Sequence, residues 1–127
     1  MRYFFVTRGE QVRDTAAQIR PWSVPETGEC PVAETLRTLG GKHKASILHC
    51  LTLGELHFLE LTRALDGISR KVLAEQLRDL LDSGLVERVQ KQDARQRVGY
   101  SLTEKGLALG AILSQLYDWA ETYQPGA

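Results

Sequence analysis

The spacing of apolar residues changes abruptly at Gly84, and this change constrains the fold more than any other feature of the sequence. Before Gly84, leucines recur at i, i+4, i+7 and i+8, the pattern of a helix with one buried face: Leu73, Leu77, Leu80 and Leu81. After Gly84, apolar residues alternate with polar ones, which is typical of strands, over residues 85–89 and 98–102. The sequence therefore predicts a helix followed directly by a two-stranded β-hairpin.

Both ends of this helix carry recognisable signals. Ser69 can cap its start by accepting a hydrogen bond from a backbone N–H of the first turn, and Gly84 suits the left-handed residue beyond the last turn. Arg70 and Lys71 follow the cap and lie away from the leucine stripe. Taken alone, the segment is compatible with an ordinary amphipathic surface helix as well as with a helix that enters the major groove of DNA.

Three further helices are predicted upstream, each with an apolar side. The first opens at Pro31 and ends at Gly40-Gly41, the second spans roughly Lys44 to Leu53, and the third spans about Phe58 to Leu65. Their predicted inward residues are Val32, Ala33, Leu36 and Leu39, then Ile47, Leu48 and Leu51, then Leu59, Leu61 and Leu65. A tight turn at residues 66–68 joins the third helix to the fourth, which is the helix-turn-helix arrangement.

A long helix is predicted after the hairpin, with Thr103 as its cap. Its apolar stripe is long and wide: Leu109, Ile112, Leu113, Leu116, Trp119, Ala120 and Tyr123. Leu107 and Ala111 add apolar area on another side, and a terminal helix of this kind needs more cover than a small domain supplies, which indicates a dimer. The order of elements predicts a mainly α (α+β) fold, a winged helix-turn-helix with a two-stranded β wing and a long C-terminal dimerisation helix.

Residues 30–120 resemble the HxlR-type transcriptional regulators, winged-helix proteins related to the MarR group. The resemblance rests on several pieces in the right order, among them Leu36-Arg-Thr-Leu-Gly-Gly-Lys42, Gly67-Ile-Ser-Arg-Lys-Val-Leu73, Gly84-Leu-Val-Glu-Arg88 and Tyr100-Ser-Leu-Thr-Glu-Lys-Gly106. It implies a homodimer that binds double-stranded DNA at a pseudo-palindromic operator and controls neighbouring genes. It also implies that a cysteine at the position of Cys30 can sense oxidants or electrophiles. The chain departs from the family at His57-Phe58, where Arg-Phe is usual.

The predicted DNA contacts lie on the fourth helix and on the hairpin. In a winged helix the N-terminal part of the recognition helix enters the major groove and the wing reaches along the backbone or into the minor groove. Arg70 is the expected base reader, and Lys71 or Ser69 the expected phosphate contact. The full predicted set is Ser69, Arg70, Lys71, Ala74, Arg78, Lys91, Arg95 and Arg97. The formal net charge is zero, so affinity must come from a few placed cations.

The chain is expected to hold one DNA-binding domain, residues 30–123, preceded by an N-terminal arm over residues 1–29 and followed by a tail over residues 124–127. No apolar run approaches the roughly 18–20 residues of a membrane span, and the start lacks a signal-peptide core. A cytoplasmic location without membrane contact is therefore expected. The predicted dimer interface consists of Val32, Leu36, Leu109, Ile112, Leu113, Leu116, Trp119 and Tyr123.

The two cysteines have different expected roles. Cys30 stands directly before a helix, where the helix dipole favours the reactive thiolate, while Glu29 and Glu34 oppose it by charge repulsion. It is either a sensor or an unreactive thiol, and Cys50 is expected to belong to the core. No catalytic set, cofactor site or metal-ligand spacing is present in the sequence, so no enzyme is predicted. Two alternatives stay open, a winged-helix protein–protein interaction module and a regulator that responds to a small molecule without cysteine sensing.

Overall fold

Five helices and three strands are found in the part of the chain that this computed structural model describes, residues 19–90, 95 and 97–124. They are α1 Pro31–Thr38, α2 Lys44–Leu51, β1 Leu56–His57, α3 Phe58–Ala64, α4 Arg70–Asp82, β2 Val86–Gln90, β3 Val98–Leu102 and α5 Glu104–Tyr123. The chain divides into two compact units, residues 1–34 and 35–127. The elements from α2 onward, which include the helix-turn-helix, belong to the second unit.

The helix-turn-helix is formed by α3 and α4, and both helices have capped starts. The His57 backbone N–H donates to Glu60 Oε1 at 2.9 Å, and His57 Nδ1 accepts from the Glu60 backbone N–H at 3.4 Å. This reciprocal capping box fixes the first turn of α3. Ser69 Oγ accepts from the Val72 N–H at 3.1 Å at the start of α4, as predicted. Between the helices, Gly67 has a φ of 85°, a left-handed conformation that glycine adopts without strain.

The core of the second unit lies between α4, the preceding helices and the sheet. Leu73, Leu77 and Leu80 of α4 are buried, which confirms the leucine stripe as the inward face, and Leu81 is half-buried at its edge. The remaining buried apolar residues are Ile47, Leu48, Leu51, Leu61, Leu85, Val86 and Leu102. Because three leucines anchor one side of α4, its opposite side is presented outward as a rigid surface.

The sheet has three strands rather than the predicted two. β2 and β3 form the expected antiparallel hairpin, with Val86 opposite Leu102 and Gln90 opposite Val98. β1 pairs antiparallel with the other edge of β3, which gives the order β1-β3-β2. A strand of two residues is too short to show a period in the sequence, and this explains why it was missed.

Several boundaries differ from prediction by one or two residues. α2 ends at Leu51 rather than Leu53, because the chain turns at Thr52, whose hydroxyl donates to the His49 carbonyl at 2.6 Å. α3 ends at Ala64, one residue early, and the first hairpin strand runs from Val86 to Gln90 instead of from Leu85 to Val89. Thr103 caps α5 as predicted.

The predicted burial of the α1 face was wrong within the single chain, and that of the α3 face was wrong only for Leu59. No residue of α1 is buried, and Val32 and Leu36 are 43% and 61% exposed. Ala33 is also exposed, whereas Leu39 packs against the core. In α3, Leu61 is buried, and Leu65, just past the end of the helix, packs against the core as predicted, whereas Leu59 is 43% exposed. Helical period identifies an apolar side but not what covers it.

A hydrogen-bonded junction ties the start of α5 to the end of α4. The Thr103 hydroxyl donates to the Gly84 carbonyl at 2.6 Å and accepts from the Gly106 N–H at 3.0 Å. Lys105 Nζ donates to the Ser83 carbonyl at 2.7 Å, at the negative end of the α4 dipole. Helices α4 and α5 are therefore joined directly, across a sequence separation of about twenty residues.

Candidate nucleic-acid interface

The outer face of α4 presents the residues that the sequence predicted for DNA contact. Ser69, Arg70, Lys71, Ala74 and Arg78 are all exposed. No large apolar side chain of α4 is among the exposed ones. A face of this chemistry suits a polar partner better than an apolar protein surface.

Part of this face forms a shallow depression of about 430 Å³. It is lined by Lys71, Ala74, Glu75, Arg78 and Asp79. The depression therefore combines two cations with two carboxylates. Glu75 is not among the predicted contacts, although its position four residues after Lys71 places both on the same helix face.

The second carboxylate of the depression holds α4 against α2. Asp79 Oδ2 lies 3.1 Å from Lys44 Nζ, and the Lys44 side chain is only 13% exposed. Lys44 is the first residue of α2 and Asp79 lies in the last turn of α4, so this ion pair links the start of one helix to the end of the other. Its partial burial reduces screening by salt, so it stabilises the relative position of α2 and α4 more than a fully exposed pair would.

Two of the three cations predicted on the wing belong to the described part of the chain. Arg95 lies in a turn at the hairpin tip and Arg97 directly precedes β3, and both side chains are exposed. Lys91 lies outside the described residues. The two hairpin strands are paired along their whole length, from Val86 opposite Leu102 to Gln90 opposite Val98.

Cys30 lies directly before α1, in the first compact unit. The backbone N–H of Ala33, the Trp22 indole and the backbone N–H of Val32 lower the pKa of the Cys30 thiol, against the opposing effects of desolvation and of Glu29. The Trp22 Nε1–H donates to Cys30 Sγ at 3.4 Å. Hydrogen bonds to sulfur stabilise the thiolate, which is the reactive form. The contact of Trp22 with Cys30 could not be predicted, because nothing in the sequence over a separation of eight residues indicates it.

Cys50 has the opposite character. It packs against the core from α2, and burial raises the pKa of its thiol. The prediction that Cys50 is a core residue is confirmed.

An apolar stripe along α5 is exposed in the single chain. Its members follow one helix face and are Ile112, Leu116, Trp119 and Tyr123. The rings of Trp119 and Tyr123 contact each other with centroids 5.7 Å apart. Leu109 and Leu113, which are also predicted at the dimer interface, are partly buried and pack against the core of their own chain. One apolar side of α5 thus packs on the core, while the stripe from Ile112 to Tyr123 is exposed in the single chain.

Comparison with known proteins identifies the family. A family model described as HxlR-like helix-turn-helix matches residues 38–126. The HTH-type transcriptional regulator YodB of Bacillus subtilis is 38% identical over 99 residues, which cover 76% of this chain and 88% of YodB. The candidate regulatory protein MalR of Fusobacterium mortiferum is 42% identical over 94 residues, covering 73% of this chain and 89% of MalR.

Solved structures give the same result. The reduced form of B. subtilis YodB matches with a TM-score of 0.70 at 36% identity, covering 79% of this chain and 100% of that chain. The redox regulator HypR in its reduced form matches with a TM-score of 0.68 at 36% identity, covering 72% of this chain and 91% of that chain. None of the described helices is long and apolar enough to cross a membrane. YodB and the family that the model describes are transcriptional regulators rather than enzymes. The chain belongs to the HxlR-like helix-turn-helix family of transcriptional regulators.

Proposed function

We propose that this protein is a dimeric, cytoplasmic, sequence-specific DNA-binding regulator. In this proposal α4 enters the major groove and the wing follows the backbone or enters the minor groove. The observation that carries the proposal is the two-sided character of α4: its leucine face is buried while Ser69, Arg70 and Lys71 are exposed at a capped N-terminus. A helix held in this way presents its first turns to a partner without losing contact with the core.

The residues of the first turn have distinct proposed roles. Arg70 reads a guanine, because its guanidinium can donate to O6 and N7 together. Lys71 and Ser69 contact phosphate and set the register, and Ala74 allows close approach of the helix to the bases. Arg78 and the wing cations, Lys91, Arg95 and Arg97, add further backbone or minor-groove contacts.

A second copy of the chain is proposed to cover the exposed stripe of α5. Isolated exposed apolar side chains are ordinary, but a row of them along one helix face marks an interface. Ile112, Leu116, Trp119 and Tyr123 supply this row, and the exposed Val32 and Leu36 of α1 add to the proposed interface. Leu109 and Leu113 contribute indirectly, by fixing α5 to the core.

The DNA proposal is tested with an operator obtained by selecting random duplexes on the wild-type protein. Arg70→Ala should lose affinity about tenfold or more for the selected operator and lose discrimination at one base pair. The matched control is the neighbouring Lys71→Ala, which should weaken all sequences alike and lower the salt slope by about 0.9. Arg95→Ala tests the wing in the same assay. Wild-type affinity in both arginine variants, with the dimer intact, would refute the assignment.

Cys30 is proposed as a sensor of oxidants or electrophiles. Support comes from the lowered pKa of its thiol and from the relatives, since HypR is described as a redox regulator and YodB as having been solved in reduced and diamide-treated forms. The family model begins at residue 38, so the family match does not itself include Cys30. Modification of Cys30 is proposed to shift α1 and so to change the spacing of the two recognition helices.

The sensor proposal is tested by adding diamide, which takes up the two hydrogens released when the Cys30 thiols of the two subunits form a disulfide, or by adding N-ethylmaleimide, which adds to the Cys30 thiol. Either reagent should release wild-type protein from operator DNA. Cys30→Ser should remain bound, while Cys50→Ser should respond like wild type. Equal release of wild type and Cys30→Ser would exclude Cys30 as the sensor.

A further inference from the structure

We propose that Glu75 is a specificity-determining residue, whose carboxylate accepts a hydrogen bond from the exocyclic amino group of a cytosine in the major groove. This inference rests on the proposed function, because it requires α4 to lie in that groove. It adds an acidic base reader to an interface otherwise assigned only cations, a serine and an alanine.

Glu75 lies on the same helix face as three of the predicted DNA contacts. Lys71, Ala74, Glu75 and Arg78 stand at i, i+3, i+4 and i+7, which places them together on one helix face. All four are exposed and line the same depression. A duplex that reaches Lys71 and Arg78 therefore passes directly over the Glu75 carboxylate.

The Glu75 carboxylate is not neutralised by the cations beside it. Asp79, the other acid of the depression, pairs with Lys44 at 3.1 Å. For Glu75, no ion pair with Lys71 or Arg78 occurs within the described ranges, although both line the same depression. The Glu75 carboxylate is thus an available acceptor for the bases in the proposed complex.

A carboxylate on a DNA-binding face is unfavourable unless it meets a donor. Phosphates repel it, and the guanine O6 and N7 and the thymine O4 are acceptors that cannot pair with it. The cytosine N4 amino group is the donor for which a carboxylate is the matching partner in the major groove. Glu75 therefore weakens binding to generic sequences and favours a cytosine at one position. The zero net charge of the chain acts in the same direction, because non-specific binding depends on attraction between cations and phosphates.

The test uses the selected operator and a panel of duplexes in which each base pair is replaced in turn. Wild type should prefer C·G at one position by roughly tenfold. Glu75→Gln, which keeps the shape of the side chain, and Glu75→Ala should lose that preference at that position only. Asp82→Asn is the matched control, since Asp82 is also exposed on α4 and lies about 10 Å further along the helix axis. It should raise affinity slightly for all sequences and alter no base preference.

Several outcomes would overturn the inference. If Glu75→Gln changes affinity uniformly, as Asp82→Asn does, then Glu75 acts only through its charge. A preference at that position for adenine, whose N6 is the other amino donor in the groove, would also overturn the assignment to cytosine. If Arg70→Ala loses discrimination while Glu75→Gln reads every base as wild type does, this inference fails and the proposed function stands. If wild type selects no sequence at all, both fail together.

Discussion

The junction between α4 and α5 yields the most quantitative prediction. Thr103→Val keeps the shape of the side chain but removes a hydroxyl that makes two hydrogen bonds. One is donated to the Gly84 carbonyl at 2.6 Å and the other is accepted from the Gly106 N–H at 3.0 Å. Thr103 itself is half-buried, so water replaces these partners only in part.

The expected loss follows from these two contacts. Removal of a helix N-cap destabilises by about 1 kcal/mol, and this includes the unpaired Gly106 N–H. The lost hydrogen bond to the Gly84 carbonyl adds about 1 kcal/mol. The free energy of unfolding should therefore fall by about 2 kcal/mol, which for a chain of this size lowers Tm by about 8 °C.

The assay is thermal unfolding followed by circular dichroism at one fixed protein concentration, because Tm of a dimer depends on concentration. Thr122→Val is the matched control in the same helix. Its hydroxyl donates to the Asp118 carbonyl at 3.0 Å from an exposed position, so its loss should change stability by less than about 0.5 kcal/mol. Equal Tm shifts in the two variants would refute the reasoning, because the effect would then come from the substitution of threonine by valine and not from the junction.

Three further predictions concern the core, the interface and the cysteines. Leu73→Ala should lower the free energy of unfolding by about 2–5 kcal/mol in urea denaturation, since Leu73 is fully buried; a loss below 1 kcal/mol would contradict its place in the core. Leu116→Glu should convert the dimer to monomers in sedimentation, because it places a charge in the proposed apolar interface; an unchanged dimer would remove the α5 stripe from that interface. In variants with a single cysteine, iodoacetamide should modify Cys30 faster than Cys50 at pH 7. The pKa of Cys30 is lowered and that of Cys50 raised, so the thiolate of Cys30 should persist to a pH below the ordinary cysteine value of about 8.5, and the reverse order of rates would contradict both directions.

Helix α4 is the part of this protein that the sequence determines most completely. Its apolar period, its serine cap and its terminal glycine are all local signals, and the structure confirms each of them. Local signals suffice here because capping and helical period depend on residues no more than a few positions apart. The hairpin and the cap of α5 were predictable for the same reason.

Other features depend on contacts between residues far apart in the chain, and only the tertiary structure decided them. β1 exists as a strand because Leu56 meets Tyr100 on the free edge of β3. The junction of Thr103 with Gly84 requires two helix ends to meet, and neither end signals its partner in the sequence. The same holds for coverage: periodicity showed that α1 and α5 have apolar sides, but only packing shows that Leu36 is exposed while Leu113 lies on the core. An apolar pattern records that a side chain avoids water, whereas the neighbour that excludes the water is set by how the elements pack.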